Sequence, residues 1–139
     1  MSYGNATARY LEAEVLSRQP EWLVPLMYEH LLLNLRRASK QIELGDQVGK
    51  AASLDKASAI VMELIGALDF ERGGEVATQL SALYLFFSTE MIGARRNTDT
   101  VGLQRLIGMI SDLHEAWSQA AEAVSPRVTP GVSRPSRSA

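Results

Sequence analysis

Apolar residues return at steps of three and four through most of the chain, in four stretches separated by short polar or glycine-bearing breaks. The first stretch predicts a helix from Pro20 to about Glu43, with Val24, Met27, Tyr28, Leu31, Leu35, Ala38 and Ile42 on one face. Pro20 suits a first helical position, where its missing N–H is not needed, and Gly45-Asp46 ends the element. Pro25, about one turn in, is expected to forfeit a backbone bond and bend the helix near its start. The second helix is expected from about Val48 to Leu68, with Leu54, Ala57, Val61, Leu64 and Leu68 facing the core. The third is expected from about Glu75 to Ala94, with Val76, Leu80, Leu83, Phe87 and Met91 in that role. Between them Asp69 can leave helical geometry cheaply, and Gly73-Gly74 supplies the positive φ that ends one helix and starts the next. Glu75 then falls in the first turn, where the helix dipole favours negative charge. A fourth helix, capped by Asn97 or Thr98, carries Leu103, Leu106, Ile110, Leu113, Trp117 and Ala121 on one stripe.

Short links between amphipathic helices make them antiparallel neighbours. The expected fold is therefore all-α: an antiparallel four-helix bundle over residues 20–124, with no strand pattern and no internal repeat. Residues 1–19 form a lead-in whose Ala6–Leu16 portion suits a short helix, marginal by itself. From residue 125 to 139 the composition shifts to Ser, Pro, Arg and Gly, and Pro126, Pro130 and Pro135 point to a disordered tail.

Charge narrows the function. The formal charge of −2 is uneven, because the tail holds Arg127, Arg134 and Arg137 and no acid. Residues 1–124 carry eleven basic against sixteen acidic side chains, a net −5, which argues against a nucleic-acid partner. With no cysteine there is no disulfide framework and no thiol chemistry. No charged segment precedes an apolar run at the N-terminus, and no apolar run approaches the ~20 residues of a membrane span. A soluble, cytoplasmic protein is expected.

Catalytic chemistry finds no support. The only histidines, His30 and His114, lack the glutamate three residues earlier that metal sites in helical bundles use. Gly73-Gly74 has neither the lysine nor the hydroxyl of a phosphate loop. Asp112 lies two residues from His114, so helical geometry points the pair apart. His114 reads as a partly buried histidine with one hydrogen bond. We expect no enzyme, no metal and no cofactor.

The helices carry more apolar residues than a four-helix core requires. Leu26 and Leu33 lie away from the first stripe, Leu85 and Ile92 away from the third with Phe86 between them, and Ile60 and Met62 flank the second. Surplus apolar surface on a small bundle marks a binding face, and grooves between helices accept partner helices. The same residues would also suit an irregular, widened core, a surface covered by the lead-in, or a homodimer interface. Periodicity leaves these open.

The hairpin Lys56-Ala57, Ile60-Val61, Glu63-Leu64, Ala67-Leu68-Asp69-Phe70-Glu71, Gly73-Gly74-Glu75, Leu80, Leu83-Tyr84 resembles the signature of the flagellar export chaperone (FliS) family. The likeness extends to Tyr10, Val15, Pro20, Leu23 and Met27-Tyr28-Glu29 upstream, and to Ala94, Asp99 and Trp117 downstream. Gln19, Pro25, His30 and Arg95 depart from the family pattern. The resemblance implies a chaperone that binds the disordered C-terminal segment of flagellin, blocks its premature polymerisation in the cytoplasm and helps deliver it to the export gate, with the lead-in as a lid. On that reading the client packs against Leu26, Leu33, Ile60, Met62, Leu85, Phe86 and Ile92, displacing Tyr10 and Val15 from the same region. The protein is then a monomer or weak homodimer. The competing expectation is a helical adaptor or homodimerising bundle with no chaperone role.

Overall fold

The computed structural model describes residues 22–96, 98–124 and 126. The lead-in, with Tyr10 and Val15, lies outside the described residues, as does the tail apart from Pro126. The described residues form four helices: α1 (Leu23–Leu44), α2 (Gln47–Gly66), α3 (Phe70–Arg96) and α4 (Val101–Val124). There is no strand among the described residues. α1 packs on α2 and α4, α3 packs on the same two, and α1 and α3 face each other across the diagonal. The α1–α2 interface is the most extensive and the α3–α4 interface the least.

The links follow from local chemistry. Gly45 adopts φ 74° and ends α1: its N–H donates to the Ile42 carbonyl (3.1 Å) and that of Asp46 to Gln41 (2.8 Å). Asp46 then caps α2, its carboxylate accepting from the Gly49 N–H at 2.9 Å. The α2–α3 link is tighter than the sequence reading had it. Asp69 Oδ1 accepts from the N–H groups of Glu71 and Arg72, both at 3.0 Å, and so starts a single helical turn before the chain breaks at Gly74 (φ 51°, ψ −121°). The cap of α4 differs too. The helix begins at Val101, whose N–H donates to Asp99 Oδ1 at 3.0 Å, so Asp99 takes the role expected of Asn97 or Thr98. Because α1 starts at Leu23, Pro25 is its third residue, inside the first turn whose N–H groups need no helical partner. The expected loss of a bond at Pro25 does not arise.

Tyr28, Leu31, Leu35, Leu54, Val61, Leu64, Phe87, Met91, Leu106 and Ile110 form the centre of the core, none more than 2% exposed. The α1, α2 and α4 stripes fall as expected. On α3 Phe87 and Met91 are buried and Leu80 and Leu83 pack against the core as expected, joined by Ala77, Tyr84 and Ala94, while Val76 is 61% exposed. Tyr28 Oη donates to Tyr84 Oη at 3.0 Å, with the rings edge-to-face at 6.4 Å. Val76 shares its helical angle with the buried Ala94, five turns on, so its exposure follows from its place in the first turn after the Gly74 break. At the far end Lys50 Nζ donates to the Arg95 carbonyl (2.8 Å) and Asp55 pairs with Arg95, tying the end of α3 to the start of α2.

Burial first, then donation to Tyr84, pushes the Tyr28 phenol well above its ordinary pKa, against a smaller opposing effect of the Trp117 donor. Burial likewise raises Tyr84, opposed by the bond it accepts from Tyr28. Above about pH 10 the unfolded tyrosines lose protons that the native ones keep. The native state then binds more protons, so stability is full below that pH and falls above it. Urea titrations at increasing alkaline pH should show a decline of up to about 1.4 kcal/mol per pH unit for each tyrosine, shallower in Tyr84→Phe. The same assay should show Gly74→Ala losing about 1–3 kcal/mol to backbone strain and Gly45→Ala about 1 kcal/mol. Gly108→Ala, in open space within α4, should gain about 0.5–1 kcal/mol.

Candidate functional site

The surplus residues differ in how far they are presented. Leu26 is only 4% exposed, although it lies away from the α1 core stripe and outside the core cluster. Ile60 is partly buried against the core. Exposed are Leu33 (42%), Met62 (62%), Leu85 (55%), Phe86 (43%) and Ile92 (56%).

The Asp55–Arg95 pair sets the register of α2 against α3. Two helical turns on from Asp55, about 10 Å, comes Met62 on the same α3-facing flank. Two turns back from Arg95 comes Ser88, midway between Leu85 and Ile92. Leu85 and Ile92 stand three residues before Ser88 and Arg95 and so share the α2-facing flank of α3. Met62, Leu85 and Ile92 therefore form one apolar strip along the outer edge of the α2–α3 pair. On the other flank of α2, Ile60 lines a cleft of about 610 Å³ with Leu23, Met27, His30, Glu63, Gly66 and Ala67. Between strip and cleft the outward surface of α2 carries Ala52, Ala59 and Gly66, exposed and spaced seven apart. Phe86 turns to the back of α3, and Leu33 lies on the outward face of α1, away from the strip.

The sequence reading missed an apolar region at the hairpin end. Phe70 (51%) and Val76 (61%) are exposed there, and Val76 borders a pocket of about 210 Å³ formed with Leu64, Leu68, Leu80 and Trp117. The signal was the Gly73-Gly74 break, which leaves Phe70 and Val76 beside the turn rather than along the packed length of α3.

Nothing catalytic assembles among the described residues. His114 Nε2 lies 3.3 Å from Glu29 Oε2 and 3.4 Å from Ser118 Oγ. Both contacts fall on one ring nitrogen, whereas a nucleophilic triad needs serine and carboxylate on opposite nitrogens. No group of three or more histidines and acids is placed to hold a metal, and no described helix is long and apolar enough to cross a membrane.

By class the protein is an antiparallel four-helix bundle with aliphatic residues left on its outer faces. Residues 3–124 match the family model described as Flagellar protein FliS, and the chain belongs to that family. It is 34% identical over 120 residues, 86% of each chain, to the Flagellar secretion chaperone FliS of Salmonella typhimurium. To the protein of the same name from Bacillus subtilis it is 28% identical over 88% of this chain and 91% of that one. To the Flagellar secretion chaperone FliSB of Pseudomonas aeruginosa it is 30% identical over 77% and 85%. The resemblance read from the Lys56–Tyr84 hairpin is thus correct.

Presentation and burial separate by substitution. Met62→Lys should leave the urea midpoint within about 0.5 kcal/mol of the unmodified protein. Leu26→Lys should cost more than about 2 kcal/mol, because it buries an ammonium without a designed partner.

Proposed function

We propose that this protein is a cytoplasmic export chaperone that holds the C-terminal segment of flagellin, prevents its premature polymerisation and assists its delivery to the flagellar export apparatus. Family membership supports the chaperone role. The observation that carries the client site is the strip of Met62, Leu85 and Ile92, each more than half exposed on helices whose inner faces are fully packed. The surface is preformed, so the protein itself spends little on ordering.

Magnitudes set the extent of the interface. Covering the exposed part of each strip residue contributes about 1 kcal/mol, roughly half of a full side-chain burial. The strip as a whole then only offsets the ~2–5 kcal/mol that a disordered client loses on ordering. Net affinity requires further area. The client is accordingly assigned a path from the strip over the low ridge of Ala52, Ala59 and Gly66 into the cleft at Ile60.

Calorimetric titration with the C-terminal segment of flagellin from the same organism should give saturable one-to-one binding, a negative heat-capacity change and a gain of helix. Leu85→Glu with Ile92→Glu should weaken binding by at least about a hundredfold, as two charges buried without partners require, with helicity intact. Unchanged affinity would remove α3 from the client site. A flat titration, with a concentration-dependent dimer abolished by the same double change, would assign the strip to self-association.

A further inference from the structure

The acidic body has one face of the opposite sign. Between His30 and Ile42, α1 contains Arg36, Arg37 and Lys40 and no acid. All three are exposed, and none belongs to an ion pair among the described residues. A fourth cation joins them from α2. Gln41 and Ser53 hydrogen-bond at 2.8 Å and set the α1–α2 register. Three residues on from Ser53 the exposed Lys56 therefore stands level with Ala38, beside Arg37. On the α4 side, the neutral Gln104 donates to Ser39 at 2.7 Å. Glu29 is turned to His114, Asp46 caps α2, Glu43 borders the patch, and Glu63 of α2 stands near its Leu33 end.

The patch has a helical repeat. Leu33, Arg37, Lys40 and Leu44 follow at steps of four, three and four, which puts them on one line. Leu33 (42% exposed) and Leu44 (71%) bracket the cations across three turns, about 16 Å. We propose that this stripe is a docking surface for an acidic amphipathic helix of a partner protein. The partner's aliphatic residues cover Leu33 and Leu44, and its carboxylates meet Arg36, Arg37, Lys40 and Lys56. A membrane surface fits less well. Its anionic headgroups would also face a body of net charge −5, and two leucines three turns apart give little to insert. Its α1 residues lie on the helix diagonal to α3, away from the strip of Met62, Leu85 and Ile92, and the proposal does not depend on the client reading.

The test uses the full chain and a fluorescent synthetic helical peptide of about five turns, with leucines at i, i+4, i+7 and i+11 and glutamates around them. Fluorescence anisotropy should show saturable binding, at least about tenfold tighter than for a scrambled peptide of the same composition. The Arg36→Glu, Arg37→Glu, Lys40→Glu variant should lose roughly tenfold or more, and the corresponding glutamine variant less. Far-UV circular dichroism should match the unmodified protein in both. Equal binding of the scrambled peptide, or affinity indifferent to the charge changes, would overturn the proposal. So would charge-dependent binding to phosphatidylserine vesicles without binding to the patterned peptide.

Discussion

The bundle turns on a hydrogen bond between two tyrosines that stand on opposite helices. α1 and α3 share no flank, yet Tyr28 and Tyr84 meet at 3.0 Å through the centre of the core. A buried phenol cannot be left without a partner except at a cost of about 1–3 kcal/mol, so each fixes the rotation of the other's helix. Trp117 packs against the same core from α4. Consequences run outward. Once Tyr84 points in, Leu85 must turn about 100° away, and Ile92 follows it on the α2-facing flank. The core contact and the exposed strip are two results of one helix rotation.

Much of this was legible in the sequence because it depends on local rules. Gly45 and Gly74 sit where the chain requires positive φ, and only glycine adopts that geometry without penalty. Leu54, Ala57, Val61 and Leu64 are buried as their spacing demands. Where the structure differs, the reason is position along an element rather than periodicity. Val76 continues the aliphatic stripe of α3, but it falls in the first turn after the Gly74 break and stays exposed. At Asp99 the cap depended on where the helix begins, which periodicity fixes poorly.

Two properties of the molecule belong together in the functional account. The interior is closed and polar groups such as Lys50 and Gln104 reach named partners across helices, so the scaffold does not need a ligand to take its shape. The outside keeps aliphatic side chains in water, which no requirement of the core explains. A family of flagellar secretion chaperones is a setting in which a stiff frame with apolar edges is useful. On the proposed reading, α2 and α3 hold the client, while the cationic outer face of α1 remains open to a second partner.

Hydrogen–deuterium exchange, with and without the flagellin C-terminal segment, addresses the central claim most directly. The account predicts new protection along α2 and α3 around Met62 and from Leu85 to Ile92. Amides along the outer face of α1, from Leu33 to Leu44, should exchange at unchanged rates. Protection confined to α1 or α4, or loss of protection around the Tyr28–Tyr84 pair as the client binds, would contradict it.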